Sequence, residues 1–263
     1  MLLFNIFFVN QTKHFEKDGF KYLTSGSGKP IIILHGLMGG LGNFEGFISH
    51  FPNIGYQVFM PELPIYSESI LNTNVKYFSK FIFKIINFLK LKNVILVGNS
   101  LGGHVGLLFS KLYPELVKGL ILTGSSGLYE NAMGDTYPKR GDYEFIKKKT
   151  QNVFYSEKIA TKEIVDEVFE SVNNRNKVIR ILAMAKSAIR HNMAKDLPGI
   201  NIPVALIWGE NDSVTPPNVA EEFHKLLPKS KLFWVKKCGH APMMEHPKKF
   251  NKIVEEWFLE NKF

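Results

Sequence analysis

Short apolar runs alternate with longer amphipathic segments along most of this 263-residue chain, and this alternation constrains its fold more than any other feature. Residues 30–34 form a continuous apolar run, typical of a strand that is buried on both faces. Residues 75–91 carry apolar side chains at helical spacing. Strands that alternate with helices indicate an α/β protein whose mostly parallel sheet has helices on both faces. Further strands are predicted at 20–24, 56–60, 93–97, 117–122, 204–208 and 232–235, and a C-terminal helix at 247–260.

One long region breaks the alternation. Residues 128–197 show no strand pattern and contain only helix-like periods and polar loops, although they lie between two predicted strands. We therefore expect a helical cap at 128–197, inserted into a core made of residues 1–127 and 198–263.

Charge and cysteine content indicate which binding partners and which cellular compartment to expect. The formal net charge is +9, but the lysines are scattered and form no basic stripe with interleaved aromatics, so we expect no nucleic-acid partner. The single cysteine, Cys238, allows no internal disulfide and fits a reducing, cytoplasmic location. Residues 1–9 are apolar, but they lack a basic start and a cleavage site and are too short to span a bilayer. We expect them to form an extra strand or an extension, with no membrane partner.

The glycine-rich stretch that follows the predicted strand at 93–97 has three possible interpretations. Gly98 and Gly103 have the outer spacing of a phosphate loop, but His104 and Val105 stand where that loop requires Lys and Ser or Thr. Nucleotide binding is therefore not expected. A second interpretation is an ordinary strand-to-helix turn in which Ser100 caps the helix.

The third interpretation is a nucleophile elbow, the sharp turn that exposes a reactive serine. Gly98-Asn99-Ser100-Leu101-Gly102 matches G-x-S-x-G and stands between a predicted strand and a predicted helix, as this motif requires. The positive helix end and the N–H of Leu101 would stabilise an oxyanion. Ser100 is therefore the candidate nucleophile.

A nucleophilic serine needs a histidine base and an orienting acid, which in this chain order follow as acid and then histidine. Asp212 follows the predicted strand at 204–208, with Glu210 as the alternative acid, and His240 follows the strand at 232–235. Parallel strands end at one edge of the sheet, so these side chains are expected to meet Ser100 there. The remaining histidines are expected to be structural, and His35 in particular to brace its own loop: His14, His35, His50, His104, His191, His224 and His246.

These motifs resemble those of the α/β-hydrolase superfamily, and the similarity covers essentially the whole chain. The elbow, Gly209-x-x-Asp212-x-x-x-Pro216, Gly239-His240 and the HGLMGG segment at 35–40 match the family pattern. The resemblance implies an eight-stranded core sheet with a cap after the sixth strand. It also implies that Leu37 supplies a second oxyanion N–H; no cofactor and no metal ion are expected.

The leading hypothesis is a serine hydrolase that cleaves a small or medium carboxylic ester, with a small acyl compound and water as its partners, in a monomer or homodimer. An alternative is carbon–carbon hydrolysis of a meta-cleavage product, because GNSLGG at 98–103, CGH at 238–240 and Glu245-His246 are similar to that subfamily. Ala241, where that subfamily has tryptophan, departs from it. A non-catalytic small-ligand receptor and a cofactor-free perhydrolase are further alternatives.

Substrate contacts are expected from four residues: Arg190, Met38, Asn99 and Met243. Arg190 is the candidate cation for an acidic substrate group, with Arg180 next. The loop at 61–70 lacks the acidic, glycine-rich pattern of many family members, so no subfamily's substrate is transferred to this chain. Apolar cap residues could line an acyl pocket, although most are expected to pack the cap on the core: Val153, Phe154, Ile179, Ile181, Leu182, Met184 and Met193.

Overall fold

A computed structural model describes residues 12–129 and 139–263. The strands in these ranges are β1 (Lys13–Lys17), β2 (Phe20–Gly26), β3 (Lys29–Leu34), β4 (Tyr56–Pro61), β5 (Val94–Asn99), β6 (Val117–Thr123), β7 (Val204–Gly209) and β8 (Ser230–Val235). They form one eight-stranded sheet in the spatial order β1-β2-β4-β3-β5-β6-β7-β8. β2 runs antiparallel to β1 and β4, and every other pair is parallel. The predicted fold class, a mostly parallel eight-stranded sheet, is confirmed.

Helices cover both faces of this sheet. They are α1 (Glu45–Ile48), α2 (Val75–Phe88), α3 (Leu101–Leu112), α4 (Tyr143–Gln151), α5 (Lys162–Asn173), α6 (Arg175–Arg190), α7 (Pro217–Leu226), α8 (Pro242–Glu245) and α9 (Pro247–Glu260). Successive residues of one strand point to opposite faces, so Ile32 joins the cluster that contains α2 and α3, whereas Ile31 and Ile33 join the cluster that contains α9. Each such aliphatic side chain contributes about 1.5–3 kcal/mol by its burial.

All seven strands predicted from apolar runs are present, and the C-terminal helix has its predicted bounds. β1 was not predicted, because all five of its residues are exposed at the sheet edge and it carries no apolar pattern. The apolar segment 1–9 lies outside the described residues. The described residues contain no helix that is long and apolar enough to cross a membrane.

Three helices, α4, α5 and α6, lie between β6 and β7, and no strand is found in the described part of this insertion. The insertion is anchored to the core at α6: Met184 is fully buried in the core cluster, and the hydroxyl of Ser187 accepts the N–H of Val75 at 3.2 Å. That residues 128–197 form a distinct cap domain stays a prediction, and residues 130–138 of it lie outside the described ranges.

Candidate active site

Ser100 occupies a strained turn between β5 and α3. Its backbone has φ 52° and ψ −119°, a positive φ that costs a non-glycine residue about 1–3 kcal/mol. The surrounding chain holds it there, because its N–H donates to the carbonyl of Thr123 at 3.1 Å and its carbonyl accepts the N–H of Ser126 at 3.2 Å. The Ser100 side chain makes no capping hydrogen bond to α3. The geometry therefore favours the elbow over the ordinary capped turn.

Gly102, two residues after the serine, lets the start of α3 approach the end of β3 closely. A Cβ atom added to Gly102 would lie 2.0 Å from the carbonyl oxygen of Leu34, at the end of β3. No side chain fits in that space, so the elbow places the start of α3 directly against the loop that begins at His35.

His240 and Asp212 form a buried pair. Nδ1 of His240 lies 2.9 Å from Oδ2 and 3.1 Å from Oδ1 of Asp212. The two residues are only 7% and 3% exposed. A carboxylate at Nδ1 keeps the proton on that nitrogen and leaves Nε2 as an acceptor. The predicted strand ends do bring these two residues together, since Asp212 follows β7 and His240 follows β8.

The carboxylate of Asp212 is fixed by the turn that follows it. Oδ1 accepts the N–H groups of Val214 and Thr215 at 2.8 and 2.9 Å, and Oδ2 accepts the Thr215 hydroxyl at 2.8 Å. Sequence reasoning missed Thr215, although a threonine three residues after an aspartate is a signal for such a turn. The alternative acid, Glu210, is exposed and donates its N–H to the Val235 carbonyl.

Ser100 and His240 line the same cavity, which has a volume of about 170 Å³. Leu37 and Met38, from the loop after β3, also line it, whereas Leu101 is the buried first residue of α3. The rest of the wall is mostly apolar and comes largely from the segment between β6 and β7. Its side chains there are Ile146, Lys149, Thr150, Val153, Phe154, Ile164, Val168 and Val172.

Two of the four expected substrate contacts, Met38 and Asn99, line the cavity. The Asn99 amide is already engaged, because it donates to the carbonyls of Thr123 and His240 at 3.0 and 3.3 Å. Asn99 therefore also holds the backbone of His240 in place.

The other two expected contacts, Met243 and Arg190, do not line the cavity. Met243 is buried in the core cluster beside α9, because the short helix α8 turns it inward, and Met244 lines the cavity instead. Arg190 lies exposed at the end of α6, so the expected role of this arginine is not supported. Arg180 donates to the backbone carbonyls of Glu68 and Asn176.

The apolar residues of the insertion divide between the cavity wall and the buried core, except that Ile179 is exposed and fits neither expected role. Val153 and Phe154 line the cavity, whereas Ile181, Met184 and Met193 are buried and absent from its wall. Sequence reasoning did not identify α4 and α5 as main contributors to the cavity wall, because amphipathic spacing identifies an apolar face without showing what that face covers.

Two other buried histidines have structural contacts. Nδ1 of His35 lies 2.9 Å from the carbonyl of Gly36, and its Nε2 accepts the N–H of Leu63 at 3.0 Å, so it braces the loop that carries Leu37. Burial lowers the pKa of His35. His104 pairs with His191 at the end of α6, 3.0 Å away. Burial, with a contribution from His191, lowers the pKa of His104 to about 3.

The described residues contain no group of three or more His, Cys, Asp or Glu side chains that could hold a metal ion.

The chain belongs to the alpha/beta hydrolase fold family, whose profile matches residues 29–247. A solved alpha/beta hydrolase enzyme from the metagenome of sediments from the lagoon of Mar Chica, Morocco, is 50% identical; the match has a TM-score of 0.80 and covers 95% of this chain and 100% of that one.

Curated relatives have two kinds of activity in their names. A 2-hydroxy-6-oxononadienedioate/2-hydroxy-6-oxononatrienedioate hydrolase from Pseudomonas sp. is 24% identical over 250 residues, covering 88% of each chain. A lipase from Psychrobacter immobilis is 25% identical over 258 residues, covering 87% of this chain and 77% of its own. Together with the family profile, these relatives identify the protein as an α/β-hydrolase enzyme that is similar both to a lipase and to a 2-hydroxy-6-oxononadienedioate/2-hydroxy-6-oxononatrienedioate hydrolase.

Proposed function

We propose that this protein is a serine hydrolase that cleaves small or medium carboxylic esters, or related acyl bonds, through Ser100, His240 and Asp212. The observation that carries the proposal is the buried Asp212–His240 pair, with Nδ1 to Oδ2 at 2.9 Å, beside a cavity that also contains the strained Ser100. In this proposal Ser100 is the nucleophile, His240 the base and Asp212 the orienting acid, the three groups that acyl transfer requires.

In the first step, Oγ of Ser100 attacks the carbonyl carbon of the ester while Nε2 of His240 takes the hydroxyl proton. Asp212 holds the imidazole with its proton on Nδ1 and stabilises the imidazolium that forms. The tetrahedral intermediate then expels the alcohol, which leaves with the proton from Nε2, and the acyl group remains on Ser100.

The negative charge on the carbonyl oxygen needs hydrogen-bond donors during this step. The N–H groups of Leu37 and Leu101 are proposed as these donors: Leu101 begins α3 directly after Ser100, and Leu37 lies on the cavity wall in the loop braced by His35. Each donor of this kind is worth about 3–4 kcal/mol of barrier reduction.

In the second step, water loses a proton to Nε2 of His240 and attacks the acyl carbon. The acid product departs, and the proton returns to Oγ of Ser100. The apolar walls from α4 and α5 would surround the acyl chain, so residues 128–197 are proposed to act as a cap over the site. A cytoplasmic location, and a monomeric or homodimeric state, are retained as proposals.

Carbon–carbon hydrolysis of a meta-cleavage product is the second candidate. It is favoured by the similarity to the 2-hydroxy-6-oxononadienedioate/2-hydroxy-6-oxononatrienedioate hydrolase from Pseudomonas sp., and by Asn99, which lines the cavity and holds the His240 carbonyl. The exposed Arg190 weighs against transferring that subfamily's substrate recognition, because this arginine cannot meet a substrate acid in the cavity.

The proposal is tested with p-nitrophenyl esters of acyl chains from acetate to decanoate and with a ring-opened dienoic acid. If the protein is an ester hydrolase, the intact protein should turn over the shorter esters and Ser100→Ala should turn over none. Glu210→Gln, which changes an exposed carboxylate near Asp212, should leave the rates unchanged. Turnover of the dienoic acid but of no ester would favour the second candidate, and no turnover of either with ligand binding retained would favour a receptor.

A further inference from the structure

One permanent charge lies on the wall of this otherwise uncharged cavity. Lys149, in the last turn of α4, is the only Lys, Arg, Asp or Glu among the described residues that line it. It stands among apolar neighbours from the same insertion, including Ile146 and Val153. A cation in apolar surroundings loses hydration, and that loss is offset only when a partner is present.

The neighbouring lysines of α4 have carboxylate partners, whereas Lys149 has none among the residues that the structure describes. Nζ of Lys147 lies 3.1 Å from Glu144, and Nζ of Lys148 lies 2.7 Å from Glu157. Within the described part of the chain, no carboxylate oxygen lies within 4.0 Å of the Lys149 ammonium, and Nζ lies 5.7 Å from the centroid of the Phe145 ring.

The helix end alone does not explain this arrangement. A lysine in the last turn of a helix interacts favourably with the helix dipole, but this holds equally for Lys148, which is exposed to solvent. Lys149 differs from Lys148 in that it lines the cavity and is half-buried.

We propose that Lys149 is an anion subsite and that the substrate of this hydrolase carries a carboxylate in addition to the bond that is cleaved. The inference rests on the proposed function and narrows its substrate class from carboxylic esters in general to esters that also carry a carboxylate. A carboxylate at Nζ would supply the missing charge partner, while the apolar wall holds the chain between the carboxylate and the acyl carbon. The carboxylate belongs either to the acyl part or to the alcohol part of the ester. Esters that carry a carboxylate on only one of these parts distinguish the two cases.

The test compares anionic and neutral esters in matched pairs. Mono-p-nitrophenyl glutarate and p-nitrophenyl hexanoate place a carboxylate, or an ethyl group, on the acyl side. On the alcohol side, 4-carboxyphenyl butyrate and phenyl butyrate carry a carboxylate, or a hydrogen atom, at the para position. We expect Lys149→Met to lower the anionic-to-neutral ratio of kcat/KM about tenfold for one of the two pairs, mainly through KM. Lys149→Arg should retain most of the ratio.

Lys148→Met is the matched control, because it removes an exposed lysine from the same turn and should leave both ratios unchanged. A ratio that is the same in wild type and Lys149→Met for both pairs would overturn the proposal.

A binding measurement separates this proposal from the esterase hypothesis. Calorimetric titration of Ser100→Ala with glutarate and with benzoate requires no turnover, and Lys149→Met in that background should weaken binding of at least one of them about tenfold. If neither acid binds through Lys149, the anion subsite is wrong even where esters are hydrolysed. If one binds but no ester is cleaved, the esterase hypothesis fails and the subsite stands.

Discussion

Thr215 donates both its backbone N–H and its hydroxyl to the carboxylate of Asp212, at 2.9 and 2.8 Å. Its hydroxyl oxygen also lies 3.3 Å from Nδ1 of His240, so one side chain touches both members of the buried pair. The orientation of the carboxylate toward the imidazole therefore depends on a residue that has no chemical part in acyl transfer.

Replacing this threonine by its isostere should reduce activity more than stability. Thr215→Val keeps the shape of the side chain but removes one hydrogen bond to a charged acceptor. We expect this loss to raise the activation free energy by about 1.5 kcal/mol, which lowers kcat/KM about tenfold. Ester hydrolysis and urea unfolding measure the two effects. Thr73→Val is the control: it removes a buried hydroxyl that bonds the Ser69 carbonyl outside the cavity, and should cost stability while kcat/KM stays within twofold.

Gly124 leaves no room for a side chain next to His240. Its φ is +49°, and an added Cβ atom would lie 2.7 Å from Nδ1 of His240. Gly124→Ala should therefore displace the imidazole and lower kcat by about 100-fold, the scale of a small misplacement in an active site. At Gly141 an added Cβ atom meets nothing within 4 Å, so Gly141→Ala should retain wild-type kcat. Equal kcat values for the two variants would contradict the claim that the space beside His240 must stay free of a side chain at Gly124.

Glu245 connects the His240 loop to the segment that follows α4. Its Oε1 accepts the Gly239 N–H at 2.7 Å, and its Oε2 accepts the N–H groups of Tyr155 and Ser156 at 2.8 and 3.3 Å. Glu245→Ala should lower the free energy of unfolding by about 1–3 kcal/mol, because several backbone donors lose a charged acceptor.

Hydrogen exchange distinguishes this local connection from general loss of stability. The amides of Tyr155 and Ser156 should exchange faster in Glu245→Ala than amides of β5, and Glu245→Gln should show a smaller effect. Glu256→Gln, on the exposed side of α9, is the control. Uniform acceleration of exchange throughout the protein would show that Glu245 has no specific role at this junction.

Burial of His104 predicts a loss of stability in acid. Its pKa is lowered from 6.5 to about 3 by burial and by His191. The unfolded chain therefore binds a proton between these pH values and the folded chain does not, so stability is complete above pH 6.5 and falls as the pH falls toward 3. The expected slope is about 1.4 kcal/mol per pH unit.

Urea unfolding at pH 7 and pH 5 tests this dependence. His104→Leu should reduce the stability difference between the two pH values by about 1–2 kcal/mol. His14→Gln, at an exposed strand residue, should leave the difference unchanged. A variant at His104 with the full wild-type pH dependence would assign the acid sensitivity to other groups.

Most of the sheet could be predicted because strands buried on both faces carry continuous apolar runs, as β3, β5 and β7 do. The serine, aspartate and histidine could be paired because each follows a strand end at the same edge. β1 could not be predicted, since its exposed edge position places no demand for apolar residues on its sequence.

The substrate contacts were the least predictable part of the site. Met243 and Met244 are adjacent and chemically identical, and only the turn of α8 determines that the first packs in the core and the second lines the cavity. Likewise, Arg190 and Lys149 are both cations of the insertion, and only the packing of α4 and α6 decides which one reaches the cavity. Local sequence patterns do not contain this information, because it arises from tertiary packing.

The central claim, that Ser100 is the nucleophile, is tested most directly by covalent labelling. The protein is treated with a fluorophosphonate probe, and the adduct is located by intact mass and peptide mapping. We expect one adduct, on Ser100, with no labelling of Ser100→Ala and slow labelling of Asp212→Asn. An adduct on another serine, or ester hydrolysis that persists in Ser100→Ala, would contradict it.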